Sequence, residues 1–269
     1  MSGGEFPQEI LDVIRPRPSD TPGLLPDGAG GYVSRSSRVY ALRDGYLDLL
    51  GRRPVADNVA NLTNYLPGAG RGYEPIWRVR SLSLLTGERF PNRREVEIVS
   101  RLARVERGGR FLDLGCSAGL YTRSIGASLG SSGTVCGIDI SPSMLAEAVR
   151  RSRRAGVFPA FLRADAKNLP FADGSFAGAL CGGSLNEFGD PGRVLRETAR
   201  VLEPGGRLAV MGILRARTPR GRRLQRFLSL GGVRFFQEEE VASLVSHSGL
   251  EPDRIETFGP VFFLGATAR

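Results

Sequence analysis

From Gly109 onward, apolar positions fall into short dense runs that alternate with segments of helical spacing. RFLDLG, GTVCGIDI, PAFLRAD, SFAGALCG and RLAVMGIL read as strands, each bounded by glycine, proline or an acid. Between them, AGLYTRSIGASLG, SPSMLAEAVRRSRRAG and PGRVLRETARVLEPGG space their apolar residues by three and four, as one face of a helix requires. The second of these has serine at the cap, proline at the first helical position and a closing glycine. QEEEVASLVSHSGL predicts a late helix, and RIETFG and VFFLGATA two strands able to pair antiparallel. Such alternation predicts an α/β, Rossmann-like fold: a mostly parallel sheet with helices on both faces.

The first 108 residues lack this rhythm. In residues 1–30 prolines and glycines crowd PRPSDTPGLLPDGAGG, which predicts a mobile arm without regular elements. GYVSRSSRVYALRDGYLDLL alternates well enough for a small hairpin turning at Arg43-Asp44-Gly45. Residues 52–105 read as mostly helical, interrupted by LPGAGRGYEP. The expected organisation is an arm and hairpin over 1–50, a helical segment covering the active site over 51–108, and a main domain over 109–269 with an insertion at about 214–236.

Composition narrows the setting. The 269 residues are 41% hydrophobic and 24% charged, with no apolar run long enough for a membrane span and no secretory pattern at the N-terminus. Cys116, Cys136 and Cys181 fall in or just after strands, which suggests reduced core thiols and a cytoplasmic setting. No cysteine has metal-ligand spacing and the single histidine, His247, is remote from them, so no metal is expected. The net charge of +9 is carried almost wholly by dispersed arginine; Lys167 is the only lysine. That dispersion favours a GC-rich genome writing arginine for lysine over an anionic partner such as nucleic acid or membrane.

The chemistry gathers at the strand ends. In an open α/β sheet, ligands bind beyond the carboxyl ends of the strands. FLDLGCSAGLYTRSIGASLG ends its strand at Asp113, then bends at Gly115, while Ser117, Ala118 and Gly119 keep the helix entrance small. The second strand ends in Asp139, twenty residues past Gly119, where a carboxylate can accept both hydroxyls of a ribose. The third ends in Asp165, followed by Ala166, where an acid can accept from the amino group of a base. The glycines from Gly115 read G-x-x-x-G, a poor match to the dinucleotide fingerprint, and no G-K-[ST] marks a phosphate loop. A ligand with ribose, adenine and an amino-acid tail but no phosphate fits better, and S-adenosylmethionine answers that description.

LDLGCSAGLYT, GIDISPSMLAEA and RADAKNLPFADGSFAGALCGGSLNEFGDPGRVLRETARVLEPGGRL resemble, in order and spacing, the successive motifs of class I S-adenosylmethionine-dependent methyltransferases. The resemblance covers about Phe111 to Leu208. It implies a seven-stranded sheet with the last strand antiparallel. It implies Asp113, Gly115, Cys116 and Gly119 around the methionine moiety, Asp139 on the ribose, and Asp165 and Ala166 at the adenine. Ile140 and Met144 would flank the adenine, and Cys181-Gly182 would lie at the fourth strand end. Ser117, counted with the cofactor residues, stands where many members have glycine. YEPIWRVRSLSLLTGERFPNRREVEI and RFFQEEEVASLVSHSGLEP resemble a bacterial and plastid subgroup related to the ubiquinone and menaquinone methylases. Members of it often begin with a zinc ribbon. LLPDGAGGYVSRSSRVYALRDGYLDLL resembles the ribbon's outline without a cysteine, which implies a zinc-free remnant.

On the acceptor side, Asn186 and Glu187 follow the fourth strand and are the candidate catalytic residues, Glu187 as base or orienting acceptor. Tyr73, Trp77 and Arg80 on a helix before the sheet, and Tyr121 on the first helix after it, are candidate substrate contacts; packing roles stay open for each. His247 reads as a surface helix-end residue, and no N-P-P-[YF] follows the fourth strand, which argues against methylation of an amide or exocyclic amine. LRARTPRGRRLQRFLSLGGVRFF forms a basic, amphipathic lid in this reading, with Leu214, Leu224, Phe227, Leu228 and Leu230. Peripheral membrane contact through it and a plain solvated helix both remain open. The expected activity is O- or C-methylation of a small hydrophobic acceptor, quinone-, polyketide- or lipid-like, leaving S-adenosylhomocysteine. A cofactor-retaining cyclase and a cofactor-binding subunit are the alternatives; a nucleic-acid acceptor is disfavoured for want of an added RNA-binding module.

Overall fold

The computed structural model describes residues 6–51 and 79–269, with side chains in the second stretch from residue 82. A short helix α1 (Gln8–Leu11) precedes four short strands, β1 (Leu24–Pro26), β2 (Tyr32–Ser34), β3 (Val39–Arg43) and β4 (Tyr46–Asp48). Helices α2 (Val79–Thr86) and α3 (Asn92–Ala103) lead into β5 (Gly109–Leu114). Then follow α4 (Leu120–Leu129), β6 (Gly133–Asp139), α5 (Pro142–Arg154), β7 (Ala160–Arg163), β8 (Phe176–Gly182), α6 (Pro191–Val201) and β9 (Leu202–Ile213). The chain closes with α7 (Pro219–Ser229), α8 (Glu238–Ser246), β10 (Leu250–Phe258) and β11 (Val261–Ala268).

Among the described residues one sheet runs β1-β2-β3-β4-β7-β6-β5-β8-β9-β11-β10. The seven strands β7-β6-β5-β8-β9-β11-β10 are the expected core, with β11 antiparallel to both its neighbours. The N-terminal strands enlarge it. The β3–β4 hairpin turns at Asp44 and Gly45, both at positive φ, and β4 then lies parallel to β7, pairing Leu47 with Leu162. The sheet ends on β1, which stops at Pro26, and on β10, whose pairing is broken by a bulge between Pro252 and Ile255.

Strand alternation feeds two apolar layers. Leu112, Leu114, Cys136, Ile138, Ala179, Cys181, Leu208 and Val210 face α6 and α8 through Val194, Leu195, Val241 and Val245. Their sequence neighbours Phe111, Val135, Leu180, Ala209 and Met211 face α3 and α4 through Ile98, Val99, Leu102, Ile125 and Leu129. Ser141 caps α5 by accepting from the Met144 amide at 3.3 Å, and Asp190 caps α6 by accepting from Arg193 at 2.9 Å.

The arm departs from its expectation. Ile10, Leu11, Ile14 and Leu24 are buried in the first layer, and Arg15 and Ala172 exchange backbone bonds with Pro170 and Val13. Prolines and glycines prevent a long element there, yet the apolar residues between them find a face of the sheet to cover. Buried Arg163 then pairs with buried Asp48 at 3.4 Å, tying β4 to β7, and also donates to the carbonyls of Gly51 and Ile140. The satisfied geometry of such a pair matters more to register than to net stability.

Candidate cofactor and acceptor site

The carboxyl ends of four adjacent parallel strands share one property. Leu114, Ile138, Ala164 and Cys181 are buried, while Gly115, Asp139, Asp165 and Gly182, next along the chain, are half-buried. Ser117, Ile140, Gly183 and Glu187 are half-buried as well, so a rim of partly accessible groups follows the sheet's end.

Asp139 organises the rim. Its Oδ2 accepts the Ser117 amide at 2.9 Å and its Oδ1 the Ser141 amide at 2.8 Å. Asp139 also draws on the Ile140 backbone amide, and it stays half-buried at the rim. Burial pushes its carboxyl above the ordinary range, against the lowering effect of the backbone donors. Ser117 completes the turn at φ 49°, the left-handed region that favours glycine, and its hydroxyl lies 3.5 Å from the Met144 sulfur. Here lies the physical reason for glycine at this place in the resembling family. Met144 is buried and Ile140 half-buried beside Asp139, so an apolar surface adjoins the carboxylate. Asp165 accepts the Lys167 amide at 2.9 Å and pairs with its ammonium at 3.7 Å; Ala166 is buried. A carboxylate rim bordered by apolar side chains suits a neutral ribose and a flat base better than a phosphate.

Other expected residues serve the scaffold. Asp113 is 2% exposed, and its Oδ2 takes both the amide and the hydroxyl of Thr122, at 3.0 and 2.6 Å. It braces the start of α4 from a buried position, whereas Asp139 and Asp165 are half-buried on the rim. Gly115 bends at φ 64° under Ser184, whose hydroxyl donates to the Gly115 carbonyl at 3.0 Å; a Cβ there would meet that hydroxyl oxygen at 2.5 Å. Gly119, also left-handed, lets α4 approach α5: a Cβ there would meet that of Ala148 at 2.9 Å. Cys116 is buried, its amide bonded to Ile138, and burial with the charges of Asp139 and Asp113 holds its thiol protonated. Burial, and secondarily Asp113, pushes the Cys181 thiol up to about 12. Both cysteines are apolar wall.

On the acceptor side the two catalytic candidates part company. Asn186 is 2% exposed and its amide is fully engaged. Nδ2 donates to the carbonyls of Ile213 (2.9 Å) and Arg234 (2.6 Å), and Oδ1 accepts the Ile213 amide at 2.9 Å. A catalytic role for Asn186 is thereby withdrawn; it clamps β9 to the segment returning from the insertion. Glu187, one residue on, is half-buried, and burial together with the charge of Asp139 pushes it up to about 7. That value lies where a base works best near neutral pH. Tyr121 is 2% exposed and donates to buried Glu95 of α3 at 2.5 Å, so its hydroxyl is turned to the helix layer, not to an open acceptor cavity. Tyr73 and Trp77 lie outside the described residues, as does the side chain of Arg80. His247 is exposed at the end of α8, its Nδ1 donating to the Ser243 carbonyl at 2.7 Å. No group of three or more His, Cys, Asp or Glu suited to a metal occurs among the described residues.

Several supporting residues escaped the sequence reading. Thr122, Ser184 and Arg163 hold the strand ends from neighbouring elements, and only Thr122 lies within one motif of its partner. For Thr122 and Ser184 the sequence signal is a short polar residue opposite a bend; for Arg163 it is a charge within an otherwise apolar strand.

Known proteins resemble this chain in sequence and in fold. Residues 112–210 match the family described as "Methyltransferase domain". The 2-phytyl-1,4-naphtoquinone methyltransferase of Nostoc punctiforme is 34% identical over 131 residues, 48% of this chain and 57% of that protein. The 27-O-demethylrifamycin SV methyltransferase of Amycolatopsis mediterranei is 34% identical over 155 residues, 55% of this chain and 56% of that protein. The chain thus spans about half the length of these curated relatives. Among solved structures, the 4+2 cyclase SpnF superposes with a TM-score of 0.56 at 20% identity, over 74% of this chain and 95% of its own, a likeness of fold. Residues 112–210 of the chain are thus similar to the methyltransferase domain family.

Proposed function

We propose that the protein transfers a methyl group from S-adenosylmethionine to a hydroxyl or ring carbon of a small hydrophobic molecule. The observation that carries this is the half-buried carboxylate of Asp139 on the rim at the sheet's end, oriented by the Ser117 and Ser141 amides. Asp139 would hold the ribose, Asp165 the adenine amino group, and Ile140 and Met144 the flat face of the base. Gly115, Ser117 and Gly119 shape the bend, while Cys116, Cys181 and Gly182 complete the wall. The group so held supplies an electrophilic methyl on a sulfonium, with S-adenosylhomocysteine as product.

The chain's own contribution is alignment, exclusion of water and movement of a proton. Glu187, half-buried at the rim and pushed up to about 7, would take the proton of an acceptor hydroxyl; a carbon acceptor needs less of it. Relatives named for a phytylated naphthoquinone and a demethylrifamycin support a ring-bearing, hydrophobic acceptor. The expected division into residues 1–50, 51–108 and 109–269 is retained as a proposal, with the first unit an integral border of the sheet. Three buried free cysteines agree with a reducing cytoplasm as the working compartment. Among the described residues no helix is long and apolar enough to cross a membrane.

The test is incubation with methyl-labelled cofactor and reduced naphthoquinones of graded side-chain length. Labelled, solvent-extractable product is expected. Cofactor held tightly through repeated trials on every hydrophobic acceptor class, without transfer, would overturn the reading.

A further inference from the structure

The insertion between β9 and α8 is closed at its neck and open at its tip. At the neck, Leu214 forms a parallel bridge with Phe236, Arg215 donates to the Phe236 carbonyl at 2.7 Å, and Asn186 holds both Ile213 and Arg234. At the tip stands α7, none of whose residues is buried. Its attachment is polar and narrow. Gln225 accepts the Ala216 amide at 2.7 Å and donates to the Leu214 carbonyl at 2.9 Å, while Gly221 comes close enough to Ala216 that a Cβ would touch it at 2.6 Å.

The remaining face is apolar and positively charged together. Leu224 is 59% exposed, Phe227 70% and Leu230 80%, and Leu228 is exposed as well. Around them stand Arg220, Arg222, Arg223 and Arg226, all exposed. From Leu214 to Phe236 the sequence holds seven arginines and no acidic residue, against a net charge of +9 for the whole chain. An exposed leucine–phenylalanine stripe finds little in water to favour it, and arginines beside it find little in an apolar partner. A surface that offers both hydrocarbon and negative charge satisfies each, and an anionic lipid bilayer is such a surface. Nucleic acid would leave the stripe unmet. A second copy of this face would set arginine against arginine.

We propose that α7 docks the protein onto an anionic bilayer, with Leu224, Phe227, Leu228 and Leu230 entering the interface and the arginines contacting the headgroups. The insertion leaves β9 at the carboxyl end of the sheet, and Asn186 in its neck directly precedes Glu187. Docking therefore sets the acceptor side toward the phase in which a hydrophobic acceptor dissolves. That purpose rests on the function proposed above; the docking itself rests only on exposure and charge.

Vesicle co-sedimentation tests it without cofactor or acceptor. The full chain is expected to bind vesicles of 30% phosphatidylglycerol in phosphatidylcholine at least tenfold more tightly than pure phosphatidylcholine (about 1.4 kcal/mol), and less tightly as salt rises. Phe227→Ser with Leu224→Ser, and separately Arg222→Gln with Arg223→Gln and Arg226→Gln, should each lose most of that binding. Their melting temperatures and their transfer to a water-soluble short-chain acceptor should be unchanged. Equal binding to both vesicle types, or full binding by both variants, overturns the proposal. So does binding to RNA with none to vesicles, or a dimer in sedimentation that Phe227→Ser dissolves. Absence of methyl transfer with vesicle binding intact would strike the proposed function alone.

Discussion

At the end of β6, the Asp139 carboxylate holds the Ser117 and Ser141 amides and adds its charge to the burial that raises the pKa of Glu187. At the tip of the insertion, eleven residues of helix, none of them buried, are held to its neck by Gln225 and by the close approach of Gly221 to Ala216. Both regions lie beyond the carboxyl end of the sheet, and both are polar and apolar in mixture. The first surrounds each polar group with fixed donors, so it can hold charge and direction where water is scarce. The second leaves its groups to the solvent, so its composition acts on what approaches from outside. The contrast separates chemistry, which needs preorganisation, from docking, which needs only a surface.

Substitutions at the two ends of this contrast should give very different losses. Asn186→Ala strips partners from the Ile213 amide and from the partly buried carbonyls of Ile213 and Arg234. It should lower stability by about 3 kcal/mol, the scale of several unmet, partly buried groups, as read by urea denaturation. A loss under 1 kcal/mol would show that the neck is held by other means. Glu187→Gln should reduce turnover on a hydroxyl acceptor about 100-fold, with cofactor affinity retained. In the unsubstituted protein, kcat should rise with pH through about 7 and flatten above it; the variant should lack that limb.

The same glutamate carries a sign for stability. Between its ordinary carboxylate range and about 7, the folded state binds the proton that the unfolded state has lost. Its contribution to stability therefore falls as pH rises across that window. Glu187→Gln should then stabilise the protein at pH 8 relative to pH 5, and thermal melts at the two values check it. Asp139→Ala should weaken cofactor binding by about 1.5–3 kcal/mol in calorimetry, the scale of hydrogen bonds to a charged group. Unchanged affinity would remove Asp139 from the site. Smallest of the four, Ser117→Gly should raise stability by about 1 kcal/mol by relieving a left-handed serine, with cofactor affinity equal or better.

How legible these regions are in the sequence follows from where their partners lie. The bend from Asp113 to Gly119 and the acid at Asp139 belong to two consecutive strand–turn–helix units, and local pattern suffices to find them. Asn186 misled because its partners, Ile213 and Arg234, lie 27 and 48 residues away. A polar residue beside an acid after a strand looks catalytic until those bonds are known. The bond between Asp113 and Thr122 is hidden in a similar way, since a strand-end acid says nothing about which way its carboxylate turns. The arm's burial was written in the spacing of Ile10, Leu11 and Ile14, but prolines downstream drowned that signal. The Asp48–Arg163 pair joins positions 115 apart and became visible only with the parallel pairing of β4 and β7.

The outer limits of the sheet have a consequence for life in a crowded cell. A marginal strand with idle amides can template a foreign chain and seed a fibril. Here one margin is three residues long and terminates in Pro26, which has no amide to offer. The opposite margin is interrupted near Pro252 and studded with Glu251, Asp253, Arg254 and Glu256. Among the described residues neither border presents a long, flat, uncharged ladder, so the eleven strands seen there can stand side by side without inviting a foreign one.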